Sequence, residues 1–197
     1  MSGPVRRLVA LGGSWGGITA LRSILSELTL PADTAAVLVL HRQPVRSELA
    51  HVLGRGAVLS VEEVEDKAPL APGKVHVAPP DYHLLVEPGW LALSTEEPVK
   101  HSRPSIDVLL ESAAASFGDR LVAVLLTGAS DDGTDGARAV RRYGGNVIVQ
   151  DPVTAEQPIM PRSAIDAGVA DVVVALRDVP SAIGRMLNGT RPGEGWS

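Results

Sequence analysis

Three places in this sequence carry side chains that together suit acyl transfer. The stretch Gly12-Gly13-Ser14-Trp15-Gly16-Gly17 contains G-x-S-x-G, a pattern whose glycines permit a sharp strand-to-helix turn that lifts a serine above a sheet. His41 directly follows the apolar run Ala35 to Leu40. The loop Thr127-Gly128-Ala129-Ser130-Asp131-Asp132-Gly133 follows another apolar run and holds two acids, with Asp135 just behind. A hydroxyl nucleophile, an imidazole base and a carboxylate that orients the base are the set such chemistry needs. A helix beginning at Gly17 aims its positive end at Ser14, and the backbone N–H of Trp15 is placed to help hold an oxyanion.

Each signal has a plainer reading. A glycine-rich turn after a first strand also serves as a phosphate cradle, although the dinucleotide fingerprint G-x-G-x-x-G is not met, because Ser14 stands where the second glycine belongs. A lone histidine is more often structural than catalytic. Acids at 131, 132 and 135 also cap helices and stabilise turns, and Gly133 and Gly136 fit that role. The convergence of three strand ends carries the weight. Arg42 and Arg46 follow closely on His41 and read either as a solvated face or as contacts for an acidic partner. His51, His76, His83 and His101 show no metal-ligand spacing, so no metal is expected.

The elements that position these residues follow from periodicity. Strands are expected at Val5–Leu11, Ala35–Leu40, Leu121–Leu126, Asn146–Gln150 and Asp171–Leu176. Continuous apolar runs of this kind suit strands buried on both faces, as in a parallel sheet. Helices are expected at Gly17–Leu28, Ser47–Leu53, Ser105–Phe117, Gly136–Tyr143, Arg162–Ala167 and Val179–Leu187, with Ser105 as a cap. Between Ala57 and Ser94 short strand-like pieces (Val58–Val61, Lys74–Ala78, His83–Glu87, Trp90–Ser94) are broken by Pro and Gly, and Pro88-Gly89 suggests a hairpin. The expected fold is α/β: a doubly wound, mostly parallel sheet with an antiparallel edge excursion. In such sheets ligands bind beyond the carboxyl ends of the strands, which is where Ser14, His41 and the acids fall.

Bulk properties narrow the class. With 197 residues, 45% of them apolar, the chain suits one domain, expected over residues 5–188, with residues 191–197 as a loose tail. Three Trp, two Tyr and one Phe leave the core to aliphatic residues. A net charge of −5 without a basic stripe argues against nucleic acid. The absence of cysteine rules out disulfides and a thiol nucleophile and fits the cytoplasm. No apolar stretch has membrane-spanning length, and the first residues do not read as a signal peptide.

Five motifs in this order are specific: Leu11-Gly-Gly-Ser-Trp-Gly-Gly17, Lys74-Val-His-Val-Ala-Pro-Pro80, Arg103-Pro-Ser-Ile-Asp107, Leu126-Thr-Gly-Ala-Ser-Asp-Asp-Gly133, and Gln150-Asp-Pro152 with Met160-Pro161. The chain resembles the methylesterase domain of the chemotaxis protein-glutamate methylesterases from about Val9 to Leu187. The resemblance implies Ser14 as nucleophile, His41 as base and Asp132 as orienting acid. It selects Asp132 over Asp131 because the family writes this loop Thr-Gly-Met-Gly-x-Asp-Gly. It also implies hydrolysis of glutamate γ-methyl esters on the cytoplasmic helices of chemoreceptors, with glutamine deamidation as a further activity and no cofactor.

The sequence departs from that family at Trp15, often threonine there, at Ala129, often methionine, and at Ser130, a glycine. Trp15 and Ala129 flank the expected site and bear on the pocket. No phosphorylatable receiver domain is expected in this chain, which leaves room for a separate signalling partner. Two other readings compete: a serine esterase or amidase of the same fold with a substrate outside chemotaxis, and a non-catalytic signalling module with a degenerate site. Activity on receptor esters separates the first, and reactivity of Ser14 with a serine probe separates the second.

Overall fold

The computed structural model describes residues 4–43 and 48–190. The elements are β1 (Arg7–Gly13), α1 (Gly17–Leu25), β2 (Thr34–Leu40), α2 (Leu49–Gly54), β3 (Ser60–Glu63), β4 (Lys74–Val77), β5 (His83–Glu87), β6 (Trp90–Ser94), α3 (Ile106–Phe117), β7 (Leu121–Leu125), α4 (Thr134–Arg142), β8 (Asn146–Gln150), α5 (Ile159–Asp166), β9 (Val172–Val174) and α6 (Val179–Leu187). Seven strands form one parallel sheet in the order β3-β4-β2-β1-β7-β8-β9.

Every residue of β2 and β7 is buried, which is why these segments read as unbroken apolar runs. On one face α1, α2 and α6 press Leu21, Ile24, Leu53 and Ile183 onto Val9, Leu11 and Leu38. On the other, α3, α4 and α5 press Leu109, Leu110, Val140 and Met160 onto Leu8, Ala10 and Val37. The sheet is therefore wound on both faces, as its alternating pattern requires.

The antiparallel excursion is present as the β5–β6 hairpin, which forms a separate two-stranded sheet. Its Leu84, Val86 and Leu91 join the core on the α3 side. The two pieces before it, β3 and β4, instead run parallel at the end of the main sheet. Polar alternation in such short strands does not distinguish an exposed parallel edge from a hairpin. Boundaries shift elsewhere too. α5 begins at Ile159, because Pro158 and Pro161 suit its cap and first turn, where no backbone N–H is required.

Candidate active site

The chain order reverses about β1: β2, β3 and β4 lie on one side, and β7, β8 and β9 on the other. The crevice beyond the strand ends at such a reversal is a natural binding place. Gly13 of β1 pairs with Leu40 of β2, so Ser14 and His41 are the next residues on neighbouring strands. Backbone bonds hold these ends together: His41 N–H donates to Gly13 O (3.0 Å) and Ser14 N–H to Thr127 O beyond β7 (2.9 Å).

The turn carrying Ser14 depends on glycine. Gly16 has φ 79°, in the left-handed region, and a methyl on it would lie 2.7 Å from Cβ of Glu156. Gly128 lies close to the same turn, where an added Cβ would meet Ser14 Cβ at 3.0 Å. Ser14 is half-buried, and its hydroxyl makes no hydrogen bond among the described residues.

His41 is anchored on Asp132, with Nε2 2.6 Å from Oδ2. Asp132 is fully buried between β7 and α4. Its Oδ2 also accepts from Ile106 N–H (2.7 Å), while Oδ1 accepts from Ser105 Oγ (2.9 Å) and Asp107 N–H (3.0 Å). The carboxylate thus sits at the positive end of α3. Burial pushes its pKa up, but the bonds from His41 and from the Ile106 and Asp107 amides outweigh burial and hold it below the usual range. An ionised acceptor at this position fixes the neutral imidazole with its hydrogen on Nε2 and its lone pair on Nδ1. Nδ1 lies 3.4 Å from Ser102 Oγ.

Asp107, the second residue of α3, does the converse for α4. Its Oδ1 accepts from Gly133 N–H (2.8 Å) and Gly136 N–H (2.7 Å), and its Oδ2 is 3.0 Å from Lys100 Nζ. Burial, reinforced by the charge of Asp132, pushes Asp107 up. Asp131 and Asp135 are exposed and contact Lys100. Among the three candidate acids, the one facing His41 is Asp132.

Two cavities share Ser14 and His41. One, of about 590 Å³, is walled by the apolar groups of Trp15, Ile18, Leu49 and Val52. The other, of about 480 Å³, is walled by Arg42, His101, Ser102 and Arg103. The indole of Trp15 is 64% exposed, so it forms an open wall rather than core, and its Nε1 donates to Glu156 Oε1 (2.9 Å). The N–H groups of Trp15 and Ala129 have no acceptor among the described residues. Ser130 Oγ is buried, also without a partner among them. Arg42 lines both cavities and donates to Ala78 O (2.8 Å) and Glu63 Oε2 (3.0 Å). Arg46 lies outside the described residues.

Sequence reasoning did not assign Lys100, Ser102 or Asp107 a part in this site, and it read His83 as structural. His83 Nδ1 accepts from Ser105 N–H (3.2 Å) and its Nε2 lies 3.1 Å from Glu97 O, so the ring fixes the start of α3. The available signal was Arg103–Asp107, a specific motif with no role attached.

The chain matches the family described as CheB methylesterase over residues 9–183. The crystal structure of the Thermotoga maritima CheB methylesterase catalytic domain superposes with a TM-score of 0.85 at 34% identity, covering 92% of this chain and 97% of that one. This chain belongs to the CheB methylesterase family. A Leptospira interrogans relative is 41% identical over 174 residues, 87% of this chain and 90% of that protein. A Nocardioides protein-glutamate methylesterase/protein-glutamine glutaminase is 37% identical over 191 residues, 94% of this chain but 52% of that protein. The fold places the Gly-rich turn, the β2 end and the Asp132 loop around one crevice. Trp15, Ala129 and Ser130 lie on two of those three segments.

Proposed function

We propose that this chain is a serine hydrolase that removes methyl esters from glutamate side chains of chemoreceptor cytoplasmic domains, with deamidation of receptor glutamines as a second activity. The observation that carries the reading is the joint placement of Ser14 and His41 at adjacent strand ends, with His41 held by a buried, multiply hydrogen-bonded Asp132.

In this reading Ser14 Oγ attacks the ester carbonyl and its proton passes to Nδ1 of His41, since Nε2–H is engaged by Asp132. Amides of Trp15 and Ala129 receive the oxyanion. The tetrahedral intermediate collapses, methanol leaves with the proton from Nδ1, and an acyl-enzyme remains. Water, deprotonated by His41, then attacks the acyl carbon, and the glutamate carboxylate departs as Ser14 regains its proton. Arg42 and Arg46 supply positive charge toward an acidic receptor surface. The reaction needs no cofactor. The proposed setting is the cytoplasm, without membrane insertion. Among the described residues no helix is long and apolar enough to cross a membrane.

The test is methanol release from methyl-labelled chemoreceptor membranes by the native chain and by Ser14→Ala. Release that Ser14→Ala abolishes supports the reading. Absence of release by the native chain, with Ser14 still labelled by a fluorophosphonate, moves the substrate outside chemotaxis.

A further inference from the structure

Val99 and Ser102 exchange both backbone hydrogen bonds, Val99 N–H to Ser102 O at 3.1 Å and Ser102 N–H to Val99 O at 2.8 Å. The two residues between them, Lys100 and His101, have φ of 47° and 65°. A two-residue hairpin with both central residues left-handed is a type I′ turn, the province of Asn-Gly. Lysine and histidine sit there under backbone strain, which persists only where the surroundings enforce it.

The enforcing contacts are on Lys100. Its Nζ lies 2.9 Å from Asp135, 3.0 Å from Asp107 and 3.4 Å from Asp131, and donates to Asp131 O at 3.3 Å. Asp107 and Asp135 stand in the first turns of α3 and α4, the helices that bracket Asp132. The strained turn is therefore clamped to the frame that holds the orienting acid. What the turn delivers to the site is the hydroxyl of Ser102, 3.4 Å from His41 Nδ1. That nitrogen is the one left to accept a proton once Nε2–H faces Asp132.

We propose that Ser102 is a positioning residue for His41. Its hydroxyl pins the imidazole from the side opposite Asp132, and the Lys100 clamp sets its place. A hydroxyl donates to Nδ1 when the ring is neutral and accepts from it when protonated, so the ring is held through both states. Ser14, His41 and Ser102 line the same cavity; in this proposal Nδ1 exchanges one hydroxyl for the other with the ring held in place. Removing that reorientation is the catalytic gain. The kinetic part rests on the proposed role of His41; the structural part does not.

The experiment records His41 ring nitrogen resonances of the ¹⁵N-labelled protein, together with ester hydrolysis, for Ser102→Ala, Ser102→Thr and Lys100→Met. In the native protein Nδ1 is expected to resonate as a hydrogen-bonded, unprotonated nitrogen. Ser102→Ala and Lys100→Met shift it toward the unbonded position, and Ser102→Thr restores it. Ser102→Ala lowers kcat about ten-fold with KM little changed, and Ser102→Thr recovers most of that loss. An Nδ1 resonance indifferent to both Ser102→Ala and Lys100→Met overturns the proposal. Failure of the native chain to hydrolyse receptor esters overturns the functional reading instead, and the resonances then decide the role of Ser102 alone.

Discussion

Asp132 and Asp107 cap each other's helices. Asp132 takes the N–H groups of Ile106 and Asp107 at the start of α3, and Asp107 takes those of Gly133 and Gly136 at the start of α4. Each carboxylate satisfies amides that a helix end otherwise leaves unpaired. The two helix starts are thereby locked in register, and the acid that holds His41 is part of the lock. A side chain with this task is fixed by more than its contact with the imidazole.

Asp132→Asn is expected to damage both activity and fold. Each carboxylate oxygen accepts a backbone N–H, Oδ1 from Asp107 and Oδ2 from Ile106. Either orientation of an asparagine amide sets an NH₂ against one of them. Leaving such a donor unsatisfied costs about 1–3 kcal/mol. The same change permits the wrong tautomer of His41, a defect of about 10⁴-fold in kcat in a Ser-His-Asp system. Thermal unfolding and hydrolysis rates on one preparation check both effects. Loss of activity with an unchanged Tm would show that the capping bonds contribute little.

The two aspartates predict opposite pH dependences of stability. Asp132 is depressed in the folded state, because hydrogen bonds to His41 and the α3 amides outweigh the opposing effect of burial. Its contribution is present above the unfolded value of about 3.9 and is lost as pH falls through the folded value. Asp107 is raised, chiefly by burial, so its contribution is present at low pH and erodes as pH rises through its folded value. The Tm difference between the native chain and Asp132→Asn should therefore shrink as pH falls below about 4. The difference between the native chain and Asp107→Asn should shrink as pH rises above the same region. Slopes of the same sign in the two comparisons would contradict the assignment of which acid is depressed.

Much of this arrangement was readable from the chain. Ala35–Leu40 and Leu121–Leu126 are apolar throughout because β2 and β7 are covered on both faces, and the residues after them necessarily reach the sheet's carboxyl edge. That logic placed Ser14 and His41 side by side. Residue types alone did not choose among Asp131, Asp132 and Asp135, since any of them suits a helix start. The structure separates them by burial: Asp131 and Asp135 expose 62% and 53% of their side chains, Asp132 none. Lys100 and Ser102 were invisible for another reason. Their turn has no glycine or asparagine to announce it, and its conformation is imposed by carboxylates far along the sequence.

Gly128→Ala is expected to impair the site through crowding. An added Cβ would stand 2.6 Å from Met160 Cε and 3.0 Å from Ser14 Cβ. The methionine end is flexible and can yield, but Ser14 sits on a turn tied to Thr127 by a backbone bond. Overpacking of this kind costs about 1–3 kcal/mol. Displacement of Ser14 should lower the rate of fluorophosphonate labelling more than it lowers Tm. Native labelling kinetics in Gly128→Ala would place the strain on Met160 alone.

Ser130→Ala should make the protein more stable. Ser130 Oγ is buried and finds no hydrogen-bond partner among the described residues. A hydroxyl taken from water and left unpaired costs about 1–3 kcal/mol, a loss that alanine avoids while preserving the backbone. The position lies two residues before Asp132, so stability and catalysis are to be read separately. A rise in Tm with unchanged hydrolysis identifies the hydroxyl as a plain structural liability. A rise in Tm together with a higher KM shows that substrate is the missing partner, and a fall in Tm refutes the unpaired hydroxyl itself.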